Sequence, residues 1–190
     1  MREVLAPLNK QEVLDLVEFL KIAGRLKVVS RSGWAQRGIK DPESVADHIY
    51  RTAILSIITA RLTGLDELKM LEMVLIHDLS EALLGDLTPQ QKREDKEIGR
   101  REDAAMDSLL GLLPQRLAKN WNAIWGEYKS GSSREAKIVR QLDQLEMALQ
   151  ATEYFNENRL DQEALEEFLQ SASHEITSRS LKTILKSIIK

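Results

Sequence analysis

Ile76-His77-Asp78-Leu79-Ser80-Glu81-Ala82-Leu83-Leu84-Gly85-Asp86 crowds four ionisable groups onto what otherwise reads as the apolar end of a helix. His77 and Glu81 are four residues apart and Asp78 and Glu81 three, so on a continuous helix these groups project from one side. A bare carboxylate buried there would cost on the order of several kcal/mol unless a cation accompanies it. A divalent metal is the simplest such cation. His48 lies in an inward stripe with Val45, Thr52 and Leu55, and Asp143 shares a helical face with Val139 and Met147, where an apolar residue is expected. Each has an ordinary reading taken alone: a core histidine, or a buried ion pair of Asp143 with Arg140 or Arg51. Together His48, His77, Asp78 and Asp143 offer two imidazoles and two carboxylates from three helices. That nitrogen and oxygen set suits Mn²⁺, Fe²⁺, Co²⁺, Ni²⁺ or Zn²⁺, with Mg²⁺ less natural, and it leaves positions open for water and substrate.

The elements that must position these residues are helices. Apolar residues at helical period over 9–24 predict a first helix, capped by Asn9 and closing near Gly24. Arg25 to Lys40 is basic and has no periodicity, so it reads as irregular. Asp41-Pro42-Glu43 predicts a helix start with Asp41 as cap, running through His48 to about Leu62. Asp66 predicts the cap of one helix continuing to Gly85, with Leu68, Leu71, Val74, Leu75 and Leu79 inward. After Thr88-Pro89, the charged run Gln90 to Arg101 reads as a solvated face or a lid. Helices are expected over 104–113, 117–128, 134–155, 162–171 and 174–189. Trp121, Trp125 and Tyr128 recur at helical spacing, which marks core or dimer-interface packing; His174 reads as a surface residue.

No alternating strand and no repeat appears, so the expected fold class is all α: one domain over 1–190, with the motif-bearing part at about 17–157 and the C-terminal helices of 158–190 packed on it. A net charge of -3 with dispersed Lys and Arg provides no footprint for DNA or RNA. The absence of cysteine removes disulfides and thiolate ligands. Met1 to Pro7 lacks the basic head and apolar core of a secretory signal, and the longest oily run, Ala53 to Ala60, is too short to span a bilayer. A cytoplasmic protein with no membrane partner is expected.

Three blocks carry a resemblance: Pro42-Glu43-Ser44-Val45-Ala46-Asp47-His48, His77-Asp78 through Gly85-Asp86, and Lys137 through Asp143 to Met147. In this order they resemble the HD-domain metal-dependent phosphohydrolases, compact helical bundles, and more narrowly their 5'-deoxynucleotidase subfamily. The resemblance implies a divalent metal held by His48, His77, Asp78 and Asp143. It implies Glu81 as the acid or base that handles the attacking water, and Asp86 as a residue that orients substrate or joins Glu81 around a second ion. An arginine and a tryptophan would grip the nucleotide; Trp34 matches, and Arg31 and Arg37 are both candidates for the arginine. The expected activity is hydrolysis of deoxynucleoside 5'-monophosphates by a homodimer. Two alternatives stay open: the same chemistry on a cyclic nucleotide, a nucleoside triphosphate or another phosphate ester, and a non-catalytic module that binds nucleotide and keeps the metal for stability.

Overall fold

With nine glycines and four prolines in 190 residues the chain turns rarely, and local capping decides where. The computed structural model describes residues 8–188, so the reading of Met1 to Pro7 and the expected helix end at Ile189 lie outside the described residues. Asn9 forms a capping box with Glu12 and starts α1 (Lys10–Ala23). A single 3-10 turn, Gly24–Lys27, continues from it. The segment expected to be irregular also contains a short helix, α2 (Ser32–Gln36).

The next helix, α3 (Val45–Thr63), begins later than Asp41-Pro42 predicts. Its cap is Ser44, in a capping box with Asp47, while Asp41 takes a positive φ of 46. Residues 43–45 are held extended by another partner: Glu43 O accepts from Arg31 N at 3.1 Å and Val45 N donates to Val29 O at 2.8 Å, around an isolated antiparallel bridge between Ser30 and Ser44. Gly64, left-handed at φ 69, closes α3.

Asp66 caps α4 (Glu67–Ile76), but the helix does not run on to Gly85. It breaks into turns at His77 and resumes only as α5 (Glu81–Leu84). The physical reason lies in His77 itself, whose Nδ1 bonds Val74 O at 2.7 Å. An uninterrupted helix would give that carbonyl to the amide of Asp78. Val74 and Leu79 are buried as expected, but Leu68 and Leu75 are exposed, and Met70, Met73 and Ile76 join Val74 on the buried face.

Thr88 caps α6 (Pro89–Glu94), and the charged run then enters α7 (Ile98–Leu110). The remaining helices are α8 (Gln115–Ser130), α9 (Arg134–Asn156), α10 (Gln162–Glu175) and α11 (Arg179–Ile188). His174 thus lies inside α10, exposed as expected, and the last helix starts five residues later than its sequence pattern predicts.

The long helix α9 is the axis of the molecule and touches α3, α4, α8, α10 and α11. Its residues Val139, Leu142, Leu145 and Ala148 are fully buried in a core that extends from Phe19 to Leu185. A second apolar cluster of Trp34, Ile39, Ala151, Tyr154, Leu160, Ala164 and Leu165 underlies the segment from Arg31 to Arg37. Because α3, α4 and α9 pack on one another, His48, His77 with Asp78, and Asp143 arrive at the same place. Among the described residues no strand forms, and no helix is long and apolar enough to cross a membrane.

Candidate active site

The four expected ligand residues do converge. His48 Nε2 is 3.0 Å from Asp143 Oδ1 and 3.9 Å from Asp78 Oδ2, and His77 Nε2 is 3.1 Å from Asp78 Oδ2. His48, His77 and Asp78 place one donor atom each within 4.8 Å of the others. Ligand separations of about 3.0–3.4 Å are what bonds of about 2.1 Å produce around an ion. Asp143 is not paired with Arg140 or Arg51. Arg140 donates to the carbonyls of Tyr128 and Lys129 at 2.6 Å each, and Arg51 is engaged with Glu146, Gln150 and Glu153.

The donor atoms fit a cation on an independent ground. His48 Nε2, His77 Nε2 and Asp78 Oδ2 are all buried and have no hydrogen-bond partner among the described residues. Buried polar atoms are otherwise satisfied almost without exception. Both imidazoles are also oriented from behind: His77 Nδ1 by Val74 O at 2.7 Å, and His48 Nδ1 by Glu146 Oε2 at 2.5 Å. Each ring therefore turns Nε2 towards the shared centre, the arrangement by which histidine is held for a metal.

Glu146 is fully buried and tied in turn to Arg51 Nε at 2.8 Å. Sequence reasoning misses it. A signal exists all the same, a carboxylate between Leu145 and Met147 one turn beyond Asp143 on the most buried helix.

Electrostatics follow from five carboxylates and few cations in a buried place. Burial first, then Asp78 and Asp86, push the Glu81 carboxyl up to about 10. Burial and Arg31 push His48 down, but the carboxylates of Asp143 and Glu146 outweigh them and raise it to about 9. Burial opposes the charge on Asp78, yet His77, Arg31 and His48 hold its carboxyl well below the usual range. Asp143 is lowered in the same way, mainly by His48. These are the protonation states of the site without an ion; a divalent charge inverts such preferences.

Glu81, on the first turn of α5, is 5% exposed, and its Oε2 has no hydrogen-bond partner among the described residues. Gly85 adopts φ 77 and ψ 162, a conformation open in practice to glycine alone, and turns the chain so that Asp86 comes back towards the centre. Asp86 accepts from the amide of Ser32 and lies 3.6 Å from Arg31 Nη1, while Ser32 Oγ donates to Asp86 O at 2.6 Å. Arg31 Nη1 is equally 3.6 Å from Asp78.

Of the two candidate arginines, then, Arg31 sits among the site carboxylates, whereas Arg37 pairs with Glu167 on the rim. Trp34 is 1% exposed, and its indole N–H is spent on Glu43 Oε1 at 2.8 Å. It packs against Phe168 and Tyr154 with ring centroids 4.3 and 5.3 Å away. Trp34 is thus held by Phe168 and Tyr154 while it still lines the cleft beside Arg31 and Arg37.

A cleft of about 690 Å³ runs from Asp78, Glu81 and Asp143 past Arg31 to Met147 and Phe168. That is the size of a site for a small organic ligand. A second cavity of about 320 Å³ reaches Asp78 and Asp143 from the side of Trp125 and Lys129. Tyr128, read from sequence as packing, lines both cavities and sets its ring 5.5 Å from that of His77. Trp125 keeps its expected place in the core.

A family model described as HD domain matches residues 23–185. Over 150 residues the chain is 41% identical to the 5'-deoxynucleotidase HDDC2 of Bos taurus, covering 79% of this chain and 73% of that one. It is 38% identical over 174 residues to the 5'-deoxynucleotidase HDDC2 of Danio rerio, covering 92% and 86%. A solved structure of a conserved hypothetical protein from Pyrococcus furiosus is similar with a TM-score of 0.75 at 28% identity, over 90% of this chain and 98% of that one.

Proposed function

Because this chain belongs to the HD-domain family, we propose that it is a divalent-metal-dependent 5'-deoxynucleotidase that hydrolyses deoxynucleoside 5'-monophosphates to deoxynucleoside and orthophosphate. The observation that carries the reading is the cluster of partnerless, buried Nε2 and Oδ2 atoms at the end of a ligand-sized cleft, beside a buried carboxyl that has no hydrogen-bond partner on Oε2. His48, His77, Asp78 and Asp143 would hold the ion, with Glu81 and Asp86 as the groups available to a second one. A divalent ion of this kind supplies a water of lowered pKa and polarises a phosphoryl oxygen.

The chain's own residues do the rest. Glu81, whose buried Oε2 has no hydrogen-bond partner among the described residues, takes the proton of the attacking water. Arg31 neutralises phosphate charge, and Asp86 holds the Arg31–Ser32 segment against the site through two contacts to Ser32. Arg37 serves the rim of the nucleoside end, and Trp34 supports it from below. No protein nucleophile is needed; positioning and charge carry the reaction.

Residues 1–190 are taken as one HD domain that acts in the cytoplasm as a homodimer. The stripe of Tyr50, Ile54, Ile58 and Leu62 along α3, 42–82% exposed, supports the dimer, since monomers seldom leave such a row in water. Light scattering after gel filtration is expected to give twice the chain mass.

The deciding experiment is phosphate release from dAMP, dGMP, other monophosphates, a cyclic nucleotide and a triphosphate, each with Mn²⁺, Co²⁺, Fe²⁺, Ni²⁺, Zn²⁺ and Mg²⁺. Turnover of deoxynucleoside monophosphates is expected with at least one ion. Release from none of them would leave a metal-stabilised binding module, and preference for a cyclic or triphosphate substrate would change the substrate class.

A further inference from the structure

Lys92 has no part in the site as described so far, yet it lies in it. It belongs to α6, six residues long, and a lysine on such a surface helix ordinarily extends its ammonium into water. Here Nζ turns inward, 3.7 Å from Glu81 Oε1 and 3.2 Å from Glu102 Oε1 of α7. Its side chain is 38% exposed, that of Glu81 6% and that of Glu102 19%. Lys92 also lines both the larger cleft and the smaller cavity, as Asp78 and Asp143 do, so its ammonium stands where the two meet.

The electrostatic need for it is plain. Arg31 is shared between Asp78 and Asp86, and His48 faces Asp143. At the Glu81 end, where Asp78 and Asp86 crowd the same carboxyl, Lys92 adds positive charge for an incoming phosphate dianion. An ammonium has three donors. Glu102 at 3.2 Å is within reach of one and Glu81 at 3.7 Å is at ion-pair distance, so donors are left for a phosphoryl oxygen, with a flexible four-carbon stem to follow it.

We propose that Lys92 is a phosphate-binding residue of this site, held at the meeting point of the two cavities by Glu102 and set beside Glu81. The proposal rests on the phosphohydrolase reading only in taking phosphate as the ligand, and inorganic phosphate is therefore the probe. Wild type, Lys92→Met and Lys92→Arg, each loaded with Mn²⁺, are titrated with inorganic phosphate by calorimetry; the metal-free proteins are titrated with Mn²⁺ alone. Thermal unfolding of each variant confirms that the fold is kept.

Lys92→Met is expected to bind phosphate about tenfold more weakly or worse, the size of a lost hydrogen bond between charged groups. Lys92→Arg should recover most of the loss, and Mn²⁺ should bind Lys92→Met no more weakly than wild type. Equal phosphate affinity in wild type and Lys92→Met overturns the proposal, as does a loss of Mn²⁺ affinity that accounts for the phosphate loss, or a wild type that binds no phosphate. The expected phosphate results in a protein that turns over no deoxynucleotide would overturn the substrate reading and leave Lys92 in place.

Discussion

At the scale of single residues the site divides, on the proposed reading, into groups that hold an ion and groups that use it, and substitution tells them apart. Asp78→Ala removes a donor atom whose neighbours are His48 Nε2 and His77 Nε2, so metal content and phosphate release should vanish together. Glu81→Gln keeps the shape of a side chain that is already neutral at pH 7 in the absence of an ion. It should retain metal and lose turnover by at least about a hundredfold, the usual share of a general acid or base. Elemental analysis beside a phosphate-release assay checks both, and an active Glu81→Gln would remove Glu81 from proton transfer. Glu146→Gln is subtler. It keeps a hydrogen-bonding partner for His48 Nδ1 but takes away the charge behind it, and metal affinity should fall about 10–100-fold by competition with a chelator. The ligands are legible in the sequence because a histidine or aspartate on an apolar face is too costly to leave without a partner. Glu146 and Lys92 are not: one stands behind His48 at its Nδ1, and the other looks like any lysine on a polar helix until the fold turns it inward.

At the scale of elements the decisive features are interruptions. A helix continuous from Asp66 to Gly85, as the pattern of caps predicts, would keep His77, Asp78 and Glu81 on one side of a single cylinder. The break at residues 77–80 instead turns them towards α3 and α9. Periodicity does not foretell it, because the competitor for the Val74 carbonyl is a side-chain atom, His77 Nδ1. The start of α3 departs from expectation for a like reason: Asp41-Pro42 is a sound helix opening, but residues 43–45 are committed to backbone bonds with residues 29–31. Caps that no distant segment contests, at Asn9, Asp66, Thr88 and Ser133, are readable directly. The turn at Gly85 gives a prediction of its own. No neighbour lies within 4 Å of the position a Cβ would take, so Gly85→Ala suffers only from its φ of 77, at about 1–3 kcal/mol. Its melting temperature should fall by several degrees, and activity should fall further still, since relaxing the turn moves Asp86 away from Ser32 and Arg31. Activity lost with the melting temperature unchanged would contradict this account.

For the molecule as a whole, the core from Phe19 to Leu185 encloses a patch of charge that folding alone does not neutralise. Without an ion, Glu81 is raised from 4.5 to about 10 and His48 from 6.5 to about 9. The folded chain therefore holds protons there that the unfolded chain releases, and stability falls as pH rises across that interval. Asp78 and Asp143, both lowered, contribute in the opposite sense, but only towards acid. Melting temperatures of the metal-free protein should decline from pH 6.5 to 9, and saturating divalent metal should flatten the decline, because ligation favours the deprotonated donors. An unchanged slope with metal would argue that the buried charges are settled some other way. The double engagement of Arg31 extends this to the coupling of cation and nucleotide. While Asp78 is unligated, that guanidinium already has two anionic neighbours at 3.6 Å, and a phosphate must compete with both. On the proposed reading an ion drawing on Asp78 weakens one of them, so bound cation should raise the affinity for nucleotide. By thermodynamic reciprocity, bound nucleotide then tightens the cation by the same factor.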